Sequence, residues 1–187
     1  ELVRRIKHLG KQKKWQEAVG ELRSAEAENK DRKLGVSMYN TALRALAESG
    51  RGEEAQALLS EMKKRRIRCD SQTYTAAITA CGRVMPLPDW QGAVALLREM
   101  RSLGNLDDQT TFAVNAALTA CARAGRVKEA TDLVNEWRQE GRRLDAMSHG
   151  ALMHAHATAG DATGALDLLR RMSAEGLRPD IVTLNTV

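Results

Sequence analysis

The sequence predicts an all-α, right-handed solenoid of helix-turn-helix units, and three observations point to it. Asp recurs at 70, 108, 145 and 180, at intervals of 38, 37 and 35 residues, and a sustained period of this length is the signature of stacked repeats. Each Asp follows a large apolar residue (Met62, Met100, Trp137, Met172) by eight positions, and each of those follows a small one (Ala55, Ala93, Ala130, Ala165) by seven. Aromatics make up only 3% of the 187 residues and Pro occurs three times, so the expected core is aliphatic, Ala-rich and helical.

The elements follow in order. Residues 1–35 hold "ELVRRIKHLG" and "KKWQEAVGELRSAEAE", the second centred on Ala18, and read as a partial or degenerate unit. In unit 36–70, Tyr39, Leu43 and Leu46 fall on one face of a 3.6-residue period and Gly50 is placed to stop that helix. The second helix carries Ala55, Leu58, Leu59 and Met62 on one stripe, with Glu53 and Glu54 in its first turn and basic residues in its last, the order that complements a helix dipole. Unit 71–108 repeats the pattern with a three-residue insertion in "VMPLPDWQG". Units 109–145 and 146–180 follow, Gln109 and Thr110 adding two residues at the junction after Asp108, and 181–187 opens a truncated unit. Without the insertions the unit is 35 residues long. No hairpin of this kind covers its own apolar stripe, so neighbours must stack. Neither end shows the polar capping face of a terminal repeat, and the expectation is a segment of a longer array.

Composition narrows the function classes. No apolar run approaches the roughly 20 residues of a membrane span, which argues against membrane insertion. The first residue is Glu and no signal-like segment follows, so any targeting peptide is expected to be removed or to lie outside these residues. Cys69, Cys81 and Cys121 form no C-x-x-C pair; Cys81 and Cys121 occupy equivalent places and read as small buried apolar residues. The net charge of +5 is uneven, with 17 Lys and Arg against 11 Asp and Glu in residues 1–70 but 12 against 13 in the remainder.

Units such as "YNTALRALAESGRGEEAQALLSEMKKRRIRCD" and "HGALMHAHATAGDATGALDLLRRMSAEGLRPD" resemble the pentatricopeptide repeat family. The likeness lies in the Y-N-T start, the A-G-R/D turn, the central Ala, the L-L-x-x-M stripe and the G-x-x-P-D ending. The related tetratricopeptide repeat is 34 residues long and lacks the terminal Asp. The resemblance implies single-stranded RNA binding in mitochondria or chloroplasts, one base per unit, read by the fifth and last residues, a mode in which two or three side chains address each splayed base. The implied pairs are Asn40 with Asp70, Thr75 with Asp108, Asn115 with Asp145 and Gly150 with Asp180, and Asn185 opens another. The resemblance also implies that bases lie between the second residues Ser37, Gln72, Phe112, Met147 and Val182, and that Arg83 and Arg123, at the thirteenth position, face phosphates. Glu48 and Thr158 depart from that basic position, Ser37 and Gln72 from the apolar one. Since each phosphate neutralised adds about 0.7 to the salt slope of single-strand binding, a shallow slope is expected.

The acids have a chemical rationale. An ionised carboxylate only accepts hydrogen bonds, and uracil and guanine alone among the four bases present an imino N–H on the pairing edge. In the family, Asn with Asp goes with U and Thr with Asp with G, giving U-G-U-x for the four units, the last left open because Gly150 offers no side chain. A structural alternative is that Asp serves as helix N-cap or turn former. Asn at the fifth position has modest helix propensity, which suggests an exposed recognition role.

The remaining motifs point elsewhere than to chemistry. His149, His154 and His156 do not share one helical face as H-x-x-x-H would, so no metal is expected. The run "KKRRIR" resembles a nuclear signal but falls where it complements a helix C-terminus. No carboxylate cluster, paired nucleophile and base, or phosphate-binding loop is present, so neither an enzyme nor a cofactor is expected. The leading expectation is RNA binding in organellar transcript processing, stability, splicing or translation. The alternative is a structural or protein-interaction subunit of an organellar ribonucleoprotein such as a mitochondrial or chloroplast ribosome.

Overall fold

The computed structural model describes residues 1–28, 34–104, 110–174 and 176. Among them are ten helices and no strand: α1 (Leu2–Lys11), α2 (Trp15–Glu28), α3 (Val36–Glu48), α4 (Gly52–Lys64), α5 (Ser71–Gly82), α6 (Trp90–Ser102), α7 (Thr110–Arg123), α8 (Val127–Gln139), α9 (Ala146–Thr158) and α10 (Ala162–Ala174). Successive pairs form antiparallel hairpins that stack into an all-α helical-repeat solenoid. Each odd-numbered helix lies against the next, α1 on α3, α3 on α5, α5 on α7 and α7 on α9, whereas consecutive even helices bring no Cα atoms within 8 Å of one another. The odd helices therefore form the tight edge of the stack and the even helices the splayed one.

Small residues set the tight edge. A Cβ at Gly10 would stand 2.9 Å from Ala45 Cβ, and one at Gly82 would stand 3.2 Å from Ala120 Cβ, so these backbones approach as closely as they do because the side chains are missing. The stripe of second helices fills the space between layers: Ala55, Met62, Ala93, Met100, Ala130 and Met172 are all 1% exposed or less, joined by Trp137. Cys81 and Cys121 are fully buried among them, and burial pushes both thiols up to about 11.

The splayed edge is bridged by long side chains. Arg23 on α2 pairs with Glu61 on α4, and Arg65 returns to Glu26 at 2.7 Å. Lys63 on α4 meets Glu99 on α6 at 2.5 Å, and Arg98 and Arg101 on α6 both reach Glu136 on α8 at 2.7 Å. Part of the "KKRRIR" run is thus held in ties between hairpins, beyond its place at a helix C-terminus. The insertion forms a loop ahead of α6, with Met85 and Leu87 exposed and Asp89 accepting the Gly92 N–H at 2.8 Å to cap the helix.

The turn between α3 and α4 requires the left-handed region, and Gly50 supplies it at φ 65°. A Cβ there would lie 2.6 Å from the Arg83 carbonyl oxygen. Gly50→Ala should cost at least the roughly 1–2 kcal/mol of a left-handed L-residue, lowering Tm by roughly 2–8 °C for a chain of this size. A thermal melt followed by circular dichroism checks it; an unchanged midpoint would show that the turn tolerates the methyl group.

Candidate nucleic-acid interface

The odd helices present a groove along the tight edge. Its wider part encloses about 540 Å³ and is lined by Thr75, Thr79, Arg83, Phe112, Asn115, Arg123 and Met147. A narrower part of about 210 Å³ runs towards the N-terminus past Arg44, Glu48 and Gln72. The two share Thr75, Thr79 and Arg83, so the groove is continuous from α3 to α9.

Two of the expected pairs meet, and Asn115 of one of them lines the groove. Asn40 Nδ2 donates to Asp70 Oδ1 and Oδ2 at 3.1 and 3.3 Å, and Asn115 Nδ2 donates to Asp145 Oδ1 and Oδ2 at 3.3 and 3.0 Å. Each Asp is also the N-cap of the next odd helix. Asp70 Oδ1 accepts the Thr73 N–H at 2.8 Å and Asp145 Oδ1 the Ser148 N–H at 2.7 Å. One carboxylate therefore both caps a helix and meets the Asn: Oδ1 takes the backbone N–H together with the hydroxyl and the amide, while Oδ2 receives, among the described residues, only the Asn amide. The expectation that Asn40 and Asn115 stand exposed is corrected, since they are 6% and 4% exposed. The carboxylate on one side and a buried hydroxyl on the other hold each amide. That hydroxyl, Thr73 or Ser148, lies 2.7 or 2.5 Å from the Asn Oδ1.

The remaining positions differ in how they are placed. Thr75 donates its hydroxyl to the Ser71 carbonyl at 2.7 Å. Gly150 follows His149, which is fully buried. Phe112 and Met147, 55% and 63% exposed, open into the same groove as Asn115. Ser37 and Gln72 are exposed and polar, and Gln72 accepts from Arg44 at 3.2 Å. Arg123 is drawn to the preceding unit, donating to the Gly82 carbonyl at 2.5 Å and to Met85 Sδ at 3.0 Å. Arg83 is exposed and makes no side-chain ion pair among the described residues. Asp108, Asp180, Val182 and Asn185 lie outside the described residues.

Sequence reasoning missed Thr73, Ser148 and Arg44. The first two had a legible signal: Asp-x-x-Thr and Asp-x-x-Ser, a hydroxyl three residues after an N-cap, as in a capping box.

Burial works against ionisation of Asp70, but the Thr73 N–H and hydroxyl and the Asn40 amide outweigh it and hold the carboxyl below its ordinary value. Asp145 is lowered in the same way, against burial, by Ser148, Asn115 and His149. A carboxylate depressed on folding contributes stability above its unfolded pKa of about 3.9 and loses it as pH falls through the folded value. The chain should therefore unfold at lower urea concentration as pH drops below about 4. Glu61, Glu99 and Glu136, also depressed, add to the fall. The combined Asp70→Asn and Asp145→Asn variant should show a shallower loss, read from urea midpoints between neutral and acid pH; an equal slope would refute the assignment.

With the groove in view, the comparisons with known proteins are direct. The PPR repeat family model matches residues 34–83, and the model described as pentatricopeptide repeat-containing protein matches residues 111–187. Together they span more than half of the chain, which belongs to the pentatricopeptide repeat family. The chloroplastic pentatricopeptide repeat-containing protein 10 of Zea mays is 36% identical over 98 residues, covering 52% of this chain and 12% of that protein. A mitochondrial pentatricopeptide repeat-containing protein of Arabidopsis thaliana is 26% identical over 156 residues, 83% of this chain and 32% of its own length. The crystal structure of the pentatricopeptide repeat protein PPR10 in complex with an 18-nucleotide psaJ RNA element superposes with a TM-score of 0.76 at 30% identity, over 97% of this chain and 26% of that one. The pentatricopeptide domain of the Arabidopsis thaliana protein-only RNase P 1 shares the fold at a TM-score of 0.74 and 14% identity, over 97% of this chain and 92% of that one. The chain spans between 12% and 32% of the lengths of the curated relatives it matches.

Proposed function

We propose that the chain binds single-stranded RNA along the odd-helix groove, one base per unit, and serves organellar RNA metabolism by recognition rather than catalysis. The units are 36–70, 71–108, 109–145 and 146–180, with 1–35 and 181–187 as partial ones. The observation that carries this reading is the repeated Asn–Asp pair, whose second carboxylate oxygen, bonded among the described residues to the Asn amide alone, has a lone pair left for a further donor while the first oxygen caps a helix. Uracil N3–H is such a donor. Phe112 and Met147 offer apolar faces of the kind on which bases stack. The relatives' chloroplastic and mitochondrial names support an organellar address.

The thin supply of cations supports a second reading, a scaffold subunit of an organellar ribonucleoprotein. Arg123 is engaged within the protein, and Glu48 shares its part of the groove with Arg44. Binding of the full chain to oligonucleotides carrying U-G-U or A-C-A, at several salt concentrations, separates the two. Base reading requires tighter binding of U-G-U with a shallow salt slope. Equal binding of both, or of neither, favours the scaffold.

A further inference from the structure

From the buried hydroxyls between the paired side chains we infer that Thr73 and Ser148, the third residues of the units following each Asn, are positioning residues that set base choice by anchoring the Asn amide against the carboxylate. The inference rests on the base-reading proposal and deepens it.

Thr73 and Ser148 are both fully buried, and each hydroxyl is shared between two acceptors. The Thr73 hydroxyl is 2.7 Å from Asn40 Oδ1 and 2.8 Å from Asp70 Oδ1; the Ser148 hydroxyl is 2.5 Å from Asn115 Oδ1 and 2.8 Å from Asp145 Oδ1. The carboxylate oxygen already accepts a backbone N–H and the Asn amide. The Asn Oδ1 has no other side-chain donor among the described residues, so the hydroxyl proton completes its bonding. An Asn side chain is a two-faced group, acceptor at one end and donor at the other, and half a turn about its last bond exchanges them. The carboxylate, an acceptor only, sets the orientation of the amide, and the hydroxyl, which could serve either end, fixes it in place by donating to Oδ1. Without the hydroxyl, only the carboxylate holds the amide.

The pattern within the chain agrees. A hydroxyl residue at the third position follows the two units whose fifth residue is Asn, whereas Ala113 follows the unit whose fifth residue is Thr75. Thr75 has no amide to orient, and its own hydroxyl is turned to the Ser71 carbonyl. The Thr73 hydroxyl also accepts the Asp70 N–H at 3.1 Å in a capping box, but donation of its proton to Asn40 is separate from that role, and at Ser148 the cap is made through the backbone N–H, which any residue other than Pro supplies.

The test compares the full chain with Thr73→Val and Ser148→Ala, and with the conservative Thr73→Ser and Ser148→Thr. One readout is the ratio of affinities for RNA carrying U or C at the position read by each Asn. The other is hydrogen exchange at the Asn40 and Asn115 side-chain amides by NMR. The expected result is a loss of about five-fold in the U-over-C ratio at the matching position alone, the worth of one hydrogen bond. Faster amide exchange, unchanged helicity and rescue by the conservative variants should accompany it. If Thr73→Val unfolds the chain, Ser148→Ala carries the same comparison. Unchanged ratio and exchange overturn the inference and leave base reading standing. Faster amide exchange in a chain that never discriminated U from C removes base reading itself, and the inference with it.

Discussion

Trp137→Ala should remove about 3–5 kcal/mol of stability, the range for emptying a buried aromatic site, and should be the most destabilising of the substitutions considered. Trp137 is 3% exposed, its indole N–H donates to the Arg143 carbonyl at 3.4 Å, and the Arg142 guanidinium stacks on its ring at 4.8 Å. It occupies the place that Met62, Met100 and Met172 fill in the other units, so the cavity opens in the core that joins α8 to its neighbours. Because domains are stable by only about 5–15 kcal/mol, the loss is a large share of the total. In a stacked array it falls first on adjacent repeats. Urea unfolding measures the total, and amide exchange should show protection lost in α7 to α9 before α3 and α4. Trp137→Met should recover most of the stability, since a flexible thioether fills irregular space well. A uniform loss of protection would show that the solenoid unfolds as one body.

Asp145→Asn should change which base is chosen while leaving the fold almost untouched. Asn caps helices about as well as Asp, so Ser148 N–H keeps an acceptor and the melting temperature should move little. One acceptor oxygen, however, is exchanged for an amide that can donate. Cytosine has a bare acceptor nitrogen where uracil has N3–H, so preference at that position should swing from U towards C. A hydrogen bond to a charged group contributes about 1.5–3 kcal/mol, so the U-over-C ratio should fall by roughly 10- to 100-fold. Competition binding with oligonucleotides differing at that one base measures it. A variant that keeps its preference for U would show that the carboxylate does not touch the base.

The fold could be read from the sequence because its signals are local and repeated. The Ala and Met stripe, the turn at Gly50 and the 30-residue separation of Asn from Asp in two units all follow from the spacing of residues along one chain. What could not be read depends on how one odd helix sits against the next. The burial of Asn40 and Asn115, the division of labour between carboxylate oxygens and the turning of Arg123 towards Gly82 are set by a register that Gly10, Gly82 and their Ala partners fix across hairpins. Periodicity indicates that two residues recur together; it does not show which atom of each is already engaged.

The two edges of the stack differ in kind, and the difference has a mechanical consequence. Backbone contact at Gly10 and Gly82 makes the inner edge stiff, whereas the outer edge is held by arginine and glutamate side chains whose attraction weakens with salt. Bending is therefore the soft deformation of this molecule. The superhelix can flex along its outer side, as a spring does, while the distance from one Asn–Asp pair to the next stays nearly constant.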